Sequence, residues 1–474
     1  VPFCRAIFCC SIVLASAALA APMGWRKDGT GRYPEATPPL HWSATTNIVW
    51  STPMPAPGNA SPVLTADRIF VTGEPTTLIC LKRATGEILW THPVTYFDTL
   101  KPAEQAKAKR QAAEADDLGK QLLADQAEVD TLRRNLRKKG SSPEQKTRLE
   151  QLSEKLNLMK AEYDRTAYMR PPEGAPIVGN ASSTPVTDGK NVYAIFGNFV
   201  VASFTVGGQL RWARYLPVDD TTMKGYAKGQ AAAPMLSGST LVVPLGHMQG
   251  LSAETGKTLW TGERYRDYGS AFLTRIGGED VVLTADGIVT RVSDGKTLLN
   301  AGLSMLYVGP IVHGGVAYFI GNKDQGKPDE ARAMAFRLPA HVTQPFVWEQ
   351  LWRLPMKAER QYASPLIHEG HAFALSEHGL FTILDVVHGK VEDSRQLDFG
   401  HDIVFPSPTL AGGYIYVSNS EGKTVVFEAR APYREVAQNM IDPFRCSPVF
   451  SGKQVFIRTQ EKMYCIEEGA HGGH

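Results

Sequence analysis

From Ser61 onward, apolar positions come in short blocks separated by turn residues. Val63-Leu64, Ile69-Phe70-Val71 and Leu78-Ile79-Cys80-Leu81 are three such blocks, and Ile88-Leu89-Trp90 follows the turn Thr85-Gly86-Glu87. Runs this short and this rich in β-branched and aromatic residues predict four antiparallel strands of one sheet. The order then repeats. Ser183-Thr184-Pro185-Val186 leads through Asn191-Val192-Tyr193-Ala194 to Leu210-Arg211-Trp212, and Ala233-Pro234-Met235 leads through Leu241-Val242-Val243 to Thr258-Leu259-Trp260. A weaker copy around Phe272 has Leu298 and Leu299 where tryptophan stands elsewhere. Gly309-Pro310, Ser364-Pro365, Ser407-Pro408 and Ser447-Pro448 each open a further copy. Eight copies at a spacing of about 40 to 50 residues predict an all-β, eight-bladed β-propeller.

The two ends complement one another. The last copy stops at Tyr464-Cys465-Ile466 without a fourth strand, and Asn47-Ile48-Val49-Trp50 is a strand without a blade. Pairing them removes both exposed edges, so the ring is expected to close by N/C-terminal strand exchange.

Between the first two blades the pattern changes to a helical one. From 101 to 165 there is almost no strand signal. Leu118, Leu122, Val129, Leu132 and Leu136 fall at three-, four- and seven-residue spacings, as do Leu149, Leu152, Leu156, Met159 and Tyr163. Gly140-Ser141-Ser142-Pro143 breaks the run, which predicts an inserted antiparallel α-helical coiled-coil hairpin with a longer arm of about 45 Å. The expected organisation is 1–20 signal peptide, 21–100 closing strand and first blade, 101–165 hairpin, 166–466 remaining blades and 467–474 flexible tail.

Thr85-Gly86-Glu87-Ile88-Leu89-Trp90 and Thr255-Gly256-Lys257-Thr258-Leu259-Trp260 resemble the tryptophan-docking motif of the pyrroloquinoline-quinone-like (PQQ-like) eight-bladed propellers. The resemblance covers nearly the whole chain outside the insertion. It implies a tryptophan of one blade packed on the Thr-Gly turn of a neighbour. The family includes quinoprotein dehydrogenases, non-catalytic outer-membrane assembly lipoproteins and many secreted bacterial proteins. The opening Trp25-Arg26-Lys27-Asp28-Gly29-Thr30-Gly31 looks most like the last group.

Composition narrows the function classes. The chain has 474 residues with a formal charge of +2, which gives no general attraction to nucleic acid or anionic membrane. Arg5, the apolar run from Ala6 to Leu19 and Ala18-Leu19-Ala20 read as a cleavable signal peptide, too short for a membrane span. A periplasmic or extracellular protein is expected. No cysteine follows the cleavage site, so a lipid anchor is not. Cys80, Cys446 and Cys465 remain, an odd number whose bland reading is buried thiols.

Residues just before each inner strand are expected to line the channel mouth: Asn59, Asn180, Gln230, Tyr307, Arg360, Gln361, Tyr362, His401 and Arg445. Amides, phenols and guanidiniums around a concave mouth suit a polar or carbohydrate-like ligand or a peptide loop, or they hydrate the channel. Arg133, Arg134, Arg137, Lys138 and Lys139 near the hairpin tip are either a solvated helix face or a docking tip for an acidic partner.

The quinoprotein resemblance also implies a vicinal Cys-Cys disulfide, a Glu/Asn/Asp set on Ca²⁺ and an aspartate base. The only adjacent cysteines, Cys9 and Cys10, lie in the signal peptide, and no Ca²⁺ set can be matched residue by residue. His368, His371 and His378 lack the acidic or thiol partners of a metal site. The reading is therefore an exported, non-catalytic scaffold without cofactor or metal, binding a protein or envelope polymer through the mouth and the hairpin. The alternatives are a PQQ-dependent oxidoreductase with Ca²⁺ and a polysaccharide-binding module.

Overall fold

The computed structural model describes residues 22–470 apart from 140–141, 171, 173–176, 219–228, 266–267, 304, 306, 322–331 and 358. Residues 1–20, expected from the sequence to be a signal peptide, and the tail histidines lie outside the described residues. The strands form eight antiparallel sheets arranged as propeller blades, and the first is Val63–Leu64, Arg68–Gly73, Thr77–Lys82 and Ile88–Pro93 from the axis outward. Burial explains the sequence pattern. The two middle strands face neighbouring blades on both sides and are almost continuously buried, whereas Ile88–Pro93 alternates between half-buried and exposed positions.

The last blade is completed from the other end of the chain. Ile48–Pro53 pairs antiparallel with Lys462–Glu467, placing Ile48 opposite Ile466 and Trp50 opposite Cys465. One sheet carries a fifth strand. Arg32–Tyr33 pairs in parallel with the inner strand Thr409–Ala411 of the seventh blade, with Arg32 opposite Leu410 and Tyr33 opposite Ala411. That strand lies inside the channel and continues a loop from Met23 to Gly31 that crosses it. Met23 bridges to Thr187 of the second blade, and Gly29 lies against Phe272 of the fourth. The Arg26 guanidinium donates to Pro365 O (2.9 Å) and Pro408 O (2.7 Å) of the sixth and seventh. Only glycine fits at position 31, where a Cβ would overlap that guanidinium.

Outer-strand tryptophans tie five of the eight blades to the next through ring contact and one hydrogen bond. Trp50 Nε1 donates to Arg83 O (3.1 Å), Trp90 to Val206 O (3.2 Å), Trp212 to Ala253 O (3.1 Å), Trp260 to Val292 O (2.7 Å) and Trp352 to Val386 O (2.8 Å). Cys80 and Cys465 sit directly behind two of these rings, opposite Trp90 and Trp50. Both are buried thiols whose pKa burial raises, to about 11 and about 12.

The turn that receives Trp352 is held by Asp385. Burial pushes this carboxyl up, but hydrogen bonds from His388 Nδ1 (2.5 Å), His388 N (3.0 Å) and Val387 N (2.9 Å) outweigh it and bring the carboxyl to about 2. A carboxyl with a depressed folded pKa stabilises the fold above its unfolded value and loses that contribution as pH falls through the folded one. Asp385→Asn is therefore expected to lower the thermal midpoint at neutral pH. Its gap to the unsubstituted protein should narrow as pH falls from about 4 toward 2. A pH-independent gap would show that the charge is not what holds the turn.

The insertion is a hairpin of α1 (Pro102–Lys139) and α2 (Pro143–Asp164). Ser142 caps α2 by accepting from Gln145 N. Val129, Leu152 and Leu156 are buried between the helices, and Arg148–Glu128 (3.0 Å) and Lys155–Asp125 (2.7 Å) cross the seam. With 38 residues, α1 is about 57 Å long, longer than the sequence pattern indicated, because its helix extends back past Leu118 to Pro102. Tyr96, Tyr168 and Tyr215 pack edge-on or tilted at 4.7 to 5.5 Å, anchoring the root on the end of the second blade's outer strand.

Candidate functional site

The channel is a blind funnel. One end is filled by residues 23–33, and at the other a cavity of about 320 Å³ opens with Trp25 among its lining residues. Trp25 belongs to the inserted loop, so its ring forms the floor.

Two sequence positions per blade build the cavity. The second residue before each inner strand is Ser61, Thr184, Ala233, Ser270, Gly309, Ser364, Ser407 or Ser447. At five of these eight positions the backbone N–H donates to the next blade's side-chain hydroxyl. Ser447 N donates to Ser61 Oγ (3.0 Å), Ser61 N to Thr184 Oγ1 (3.1 Å), Ala233 N to Ser270 Oγ (3.1 Å), Ser364 N to Ser407 Oγ (3.0 Å) and Ser407 N to Ser447 Oγ (3.0 Å). The result is a girdle of hydroxyls around the axis. The proline that follows most of them suits an inner edge strand, because it brings no N–H to leave unsatisfied.

The fourth residue before each inner strand forms the wall above the girdle. In blade order these are Asn59, Ser182, Ala231, Tyr268, Tyr307, Tyr362, Phe405 and Arg445, and all eight line the cavity. The wall is lopsided. Tyr268 stacks on Tyr307 (5.8 Å), Tyr307 meets Tyr362 edge-on (4.9 Å), Tyr362 lies 5.3 Å from Phe405, and the Arg445 guanidinium sits 5.0 Å over Phe405. Opposite this aromatic arc the small side chains leave room for the chain returning from the hairpin. Asn59 Nδ2 donates to Val178 O (2.9 Å) and Arg445 Nη1 to Ile177 O (2.6 Å), so Ile177 and Val178 become part of the wall. Ile177 and Ile403 remain 40% and 36% exposed at the lip.

Of the mouth residues expected from sequence, Asn59, Tyr307, Tyr362 and Arg445 line the cavity. Arg360 is exposed beside them, its pKa raised first by a hydrogen bond with the Tyr362 hydroxyl. His401 is exposed next to the lip residue Asp402. Asn180, Gln230 and Gln361 are buried instead of lining the cavity, and Gln230 Nε2 donates to Ala232 O and Pro244 O. Gln230 and Gln361 are the fifth residue before their strands, and in extended chain a one-residue slip turns a side chain to the opposite face. Trp25, Tyr268 and Phe405 were missed. Counting four back from each inner strand would have found the last two; nothing local marks Trp25.

On the hairpin, Arg133, Arg134 and Arg137 are exposed, and Arg133 lies 3.8 Å from Asp130. The side chains of Lys138 and Lys139 lie outside the described residues.

The described lining of the cavity offers hydroxyl donors, aromatic faces and one guanidinium at the rim. Cys446 lines it, but burial pushes this thiol up to about 12, far from the thiolate that attacks at neutral pH. Asp402 is the cavity's one carboxylate among the described residues, and Cys446 has no adjacent cysteine. Calcium takes six to eight oxygen ligands with carboxylates prominent among them, so this donor set does not fit the Ca²⁺–quinone pair of the quinoproteins.

A family model described as outer membrane protein assembly factor BamB matches residues 41–126 and 227–469. No curated protein matches the chain in sequence. Among solved structures, BamB from Moraxella catarrhalis aligns at 11% identity with a TM-score of 0.53, covering 90% of this chain and 99% of the other. Saccharomyces cerevisiae Sqt1 aligns at 10% identity and 0.53, covering 90% and 99%. Quinohemoprotein alcohol dehydrogenase from Comamonas testosteroni aligns at 10% and 0.54, covering 97% and 82%. At such identities the likeness is one of fold.

Proposed function

Because the chain belongs to the PQQ-like propeller family whose model is described as outer membrane protein assembly factor BamB, we propose that it is an exported, non-catalytic scaffold. It holds a protein partner between the funnel mouth and the helical hairpin. The observation that carries this reading is continuity: the chain leaving the hairpin becomes the cavity wall at Ile177 and Val178, beside an aromatic arc and two exposed isoleucines. An apolar lip around a rigid concave site is the usual signature of a surface that takes another molecule. Export rests on the apolar run in residues 1–20. Among the described residues no helix is long and apolar enough to cross a membrane.

The test compares capture of partners, by crosslinking on the envelope fraction, between the intact protein, a variant with 102–164 replaced by a short Gly-Ser linker, and Tyr362→Ala. Both variants are expected to fold and to lose roughly tenfold or more of the captured species, the size of a hot-spot loss. Capture unchanged in both variants would refute the reading. A second measurement addresses the enzyme alternative. Titration with pyrroloquinoline quinone and Ca²⁺ is expected to give no saturable binding and no dye reduction with alcohols or sugars; binding with turnover would make the protein an oxidoreductase.

A further inference from the structure

Five hydroxyls that line the cavity make no hydrogen bond as donors to any other described residue. A hydroxyl offers one proton and two lone pairs. In Ser61, Thr184, Ser270, Ser407 and Ser447 one lone pair is taken by the neighbouring blade's N–H, and among the described residues no acceptor is recorded for the O–H. All five side chains line the cavity. Neutral hydroxyls turned this way form a ring of donors above Trp25.

Positive charge lies beneath and above the ring. Arg26, adjacent to the floor residue, is 0% exposed, donates only to two backbone carbonyls, and has no carboxylate within ion-pair distance among the described residues; its Nε has no partner. A guanidinium stays charged even where burial lowers its pKa, here to about 10 against the smaller opposing effects of Tyr33 and Asp28. Arg445 stands at the rim and Arg360 beside Tyr362. Among the described residues, carboxylates oppose two of these cations: Asp28 acts on Arg26 and Glu377 on Arg360. Asp402 is exposed and lines the cavity, and Arg445 has no carboxylate within ion-pair distance among the described residues. The O–H donors, with Arg445 above them, favour a negatively charged, acceptor-rich head at the bottom of the funnel.

Shape limits what can carry that head. The cavity is at the small end of the range for ligand sites, about 300 to 1,000 Å³, and Trp25 stops any chain from threading through. An extended segment can therefore enter only by its end, and the aromatic arc requires an apolar body next to the head. One chemical group has both features: the last residue of a polypeptide, with its carboxylate and an apolar side chain.

We propose that the funnel captures the C-terminal residue of a partner polypeptide. Its carboxylate accepts from the hydroxyl ring, and its aromatic or large apolar side chain packs on Tyr268, Tyr307, Tyr362 and Phe405. The proposal rests on the scaffold reading and assigns the occupant of the mouth.

The experiment titrates the purified protein with a fluorescent hexapeptide ending in phenylalanine, with the same peptide as its C-terminal amide, and with N-acetylphenylalanine as competitor, reading anisotropy. The free-acid peptide is expected to bind saturably and the amide about tenfold or more weakly, since the lost hydrogen bonds are to a charged group. Ser447→Ala is expected to weaken the free acid more than the amide, narrowing the gap between them, because the hydrogen bond lost to the acid is to a charged group. Tyr362→Ala is expected to weaken both. Because Ser447 also accepts a neighbouring N–H, its variant is compared only after its thermal midpoint is measured, and the acid–amide comparison stands on the unaltered protein. Equal binding of acid and amide would overturn the proposal, as would no peptide binding, or binding of N-acetylphenylalanine alone, which would assign the cavity to a free acid. In those cases hairpin-dependent capture, if retained, leaves the scaffold reading intact.

Discussion

Arg26→Ala is expected to destabilise the protein by about 2–5 kcal/mol, combining a cavity with two buried carbonyls left without donors. Pro365 O and Pro408 O both lose their guanidinium N–H groups. The loop they hold also carries Gly31, whose carbonyl accepts from Leu410 N at the start of the fifth strand's pairing (2.9 Å). Loosening Arg26 should therefore release residues 23–33 from the channel as a unit. Limited proteolysis should cut the variant between Trp25 and Tyr33 under conditions that leave the unsubstituted protein intact. Arg26→Met refills the volume and removes a buried charge, so it should cost less than half as much, because well-packed apolar replacements of buried charges are often close to neutral. An alanine variant with unchanged melting and protease resistance would show that the loop does not depend on this anchor.

The second large effect is expected at the junction of the second and third blades. Trp212 is buried, and a Cβ on Gly256 of the next blade would lie 2.5 Å from its ring. Trp212→Ala is expected to cost about 3–5 kcal/mol, the range for large aromatic truncations in a core. Trp212→Phe should recover most of that but not the bond to Ala253 O, worth about 1 kcal/mol. Gly256→Ala should also destabilise, because its φ of +67° is unfavourable with a side chain and because the ring stands in the way. The two changes share one contact, so Trp212→Ala with Gly256→Ala should cost less than the sum of the single variants in denaturant unfolding. Strict additivity would indicate that ring and turn do not act as a pair.

Much of the architecture was legible because it is local and repeated. A strand of four to six residues shows its burial in its own composition, and the recurrence of Ser-Pro openings and Gly-x-x-x-Trp closings sets the blade period. The strand exchange could be read because Asn47–Trp50 and Tyr464–Ile466 are each incomplete alone. Half of the mouth was legible in the same way. Asn59, Tyr307, Tyr362 and Arg445 stand at one of the two offsets that line the cavity, while Gln230 and Gln361, polar residues one position away, are buried in the blades. Polarity was a poor guide there, since half of the wall is tyrosine and phenylalanine and the buried Gln230 amide donates to backbone carbonyls.

Sequence alone thus determined the blade number, the closure and the helical insertion, because each follows from periodicity and from unpaired edges. Tertiary structure alone decided that the channel is blind, that Trp25 is its floor and Arg26 a fully buried cation under it, and that hydroxyls from several blades face the opening. Residues 22–36 carry no period, and their partners lie 339 and 382 positions away along the chain. Contacts of that separation leave no local pattern, because what specifies them is the space at the centre of a closed ring and the backbone groups that line it.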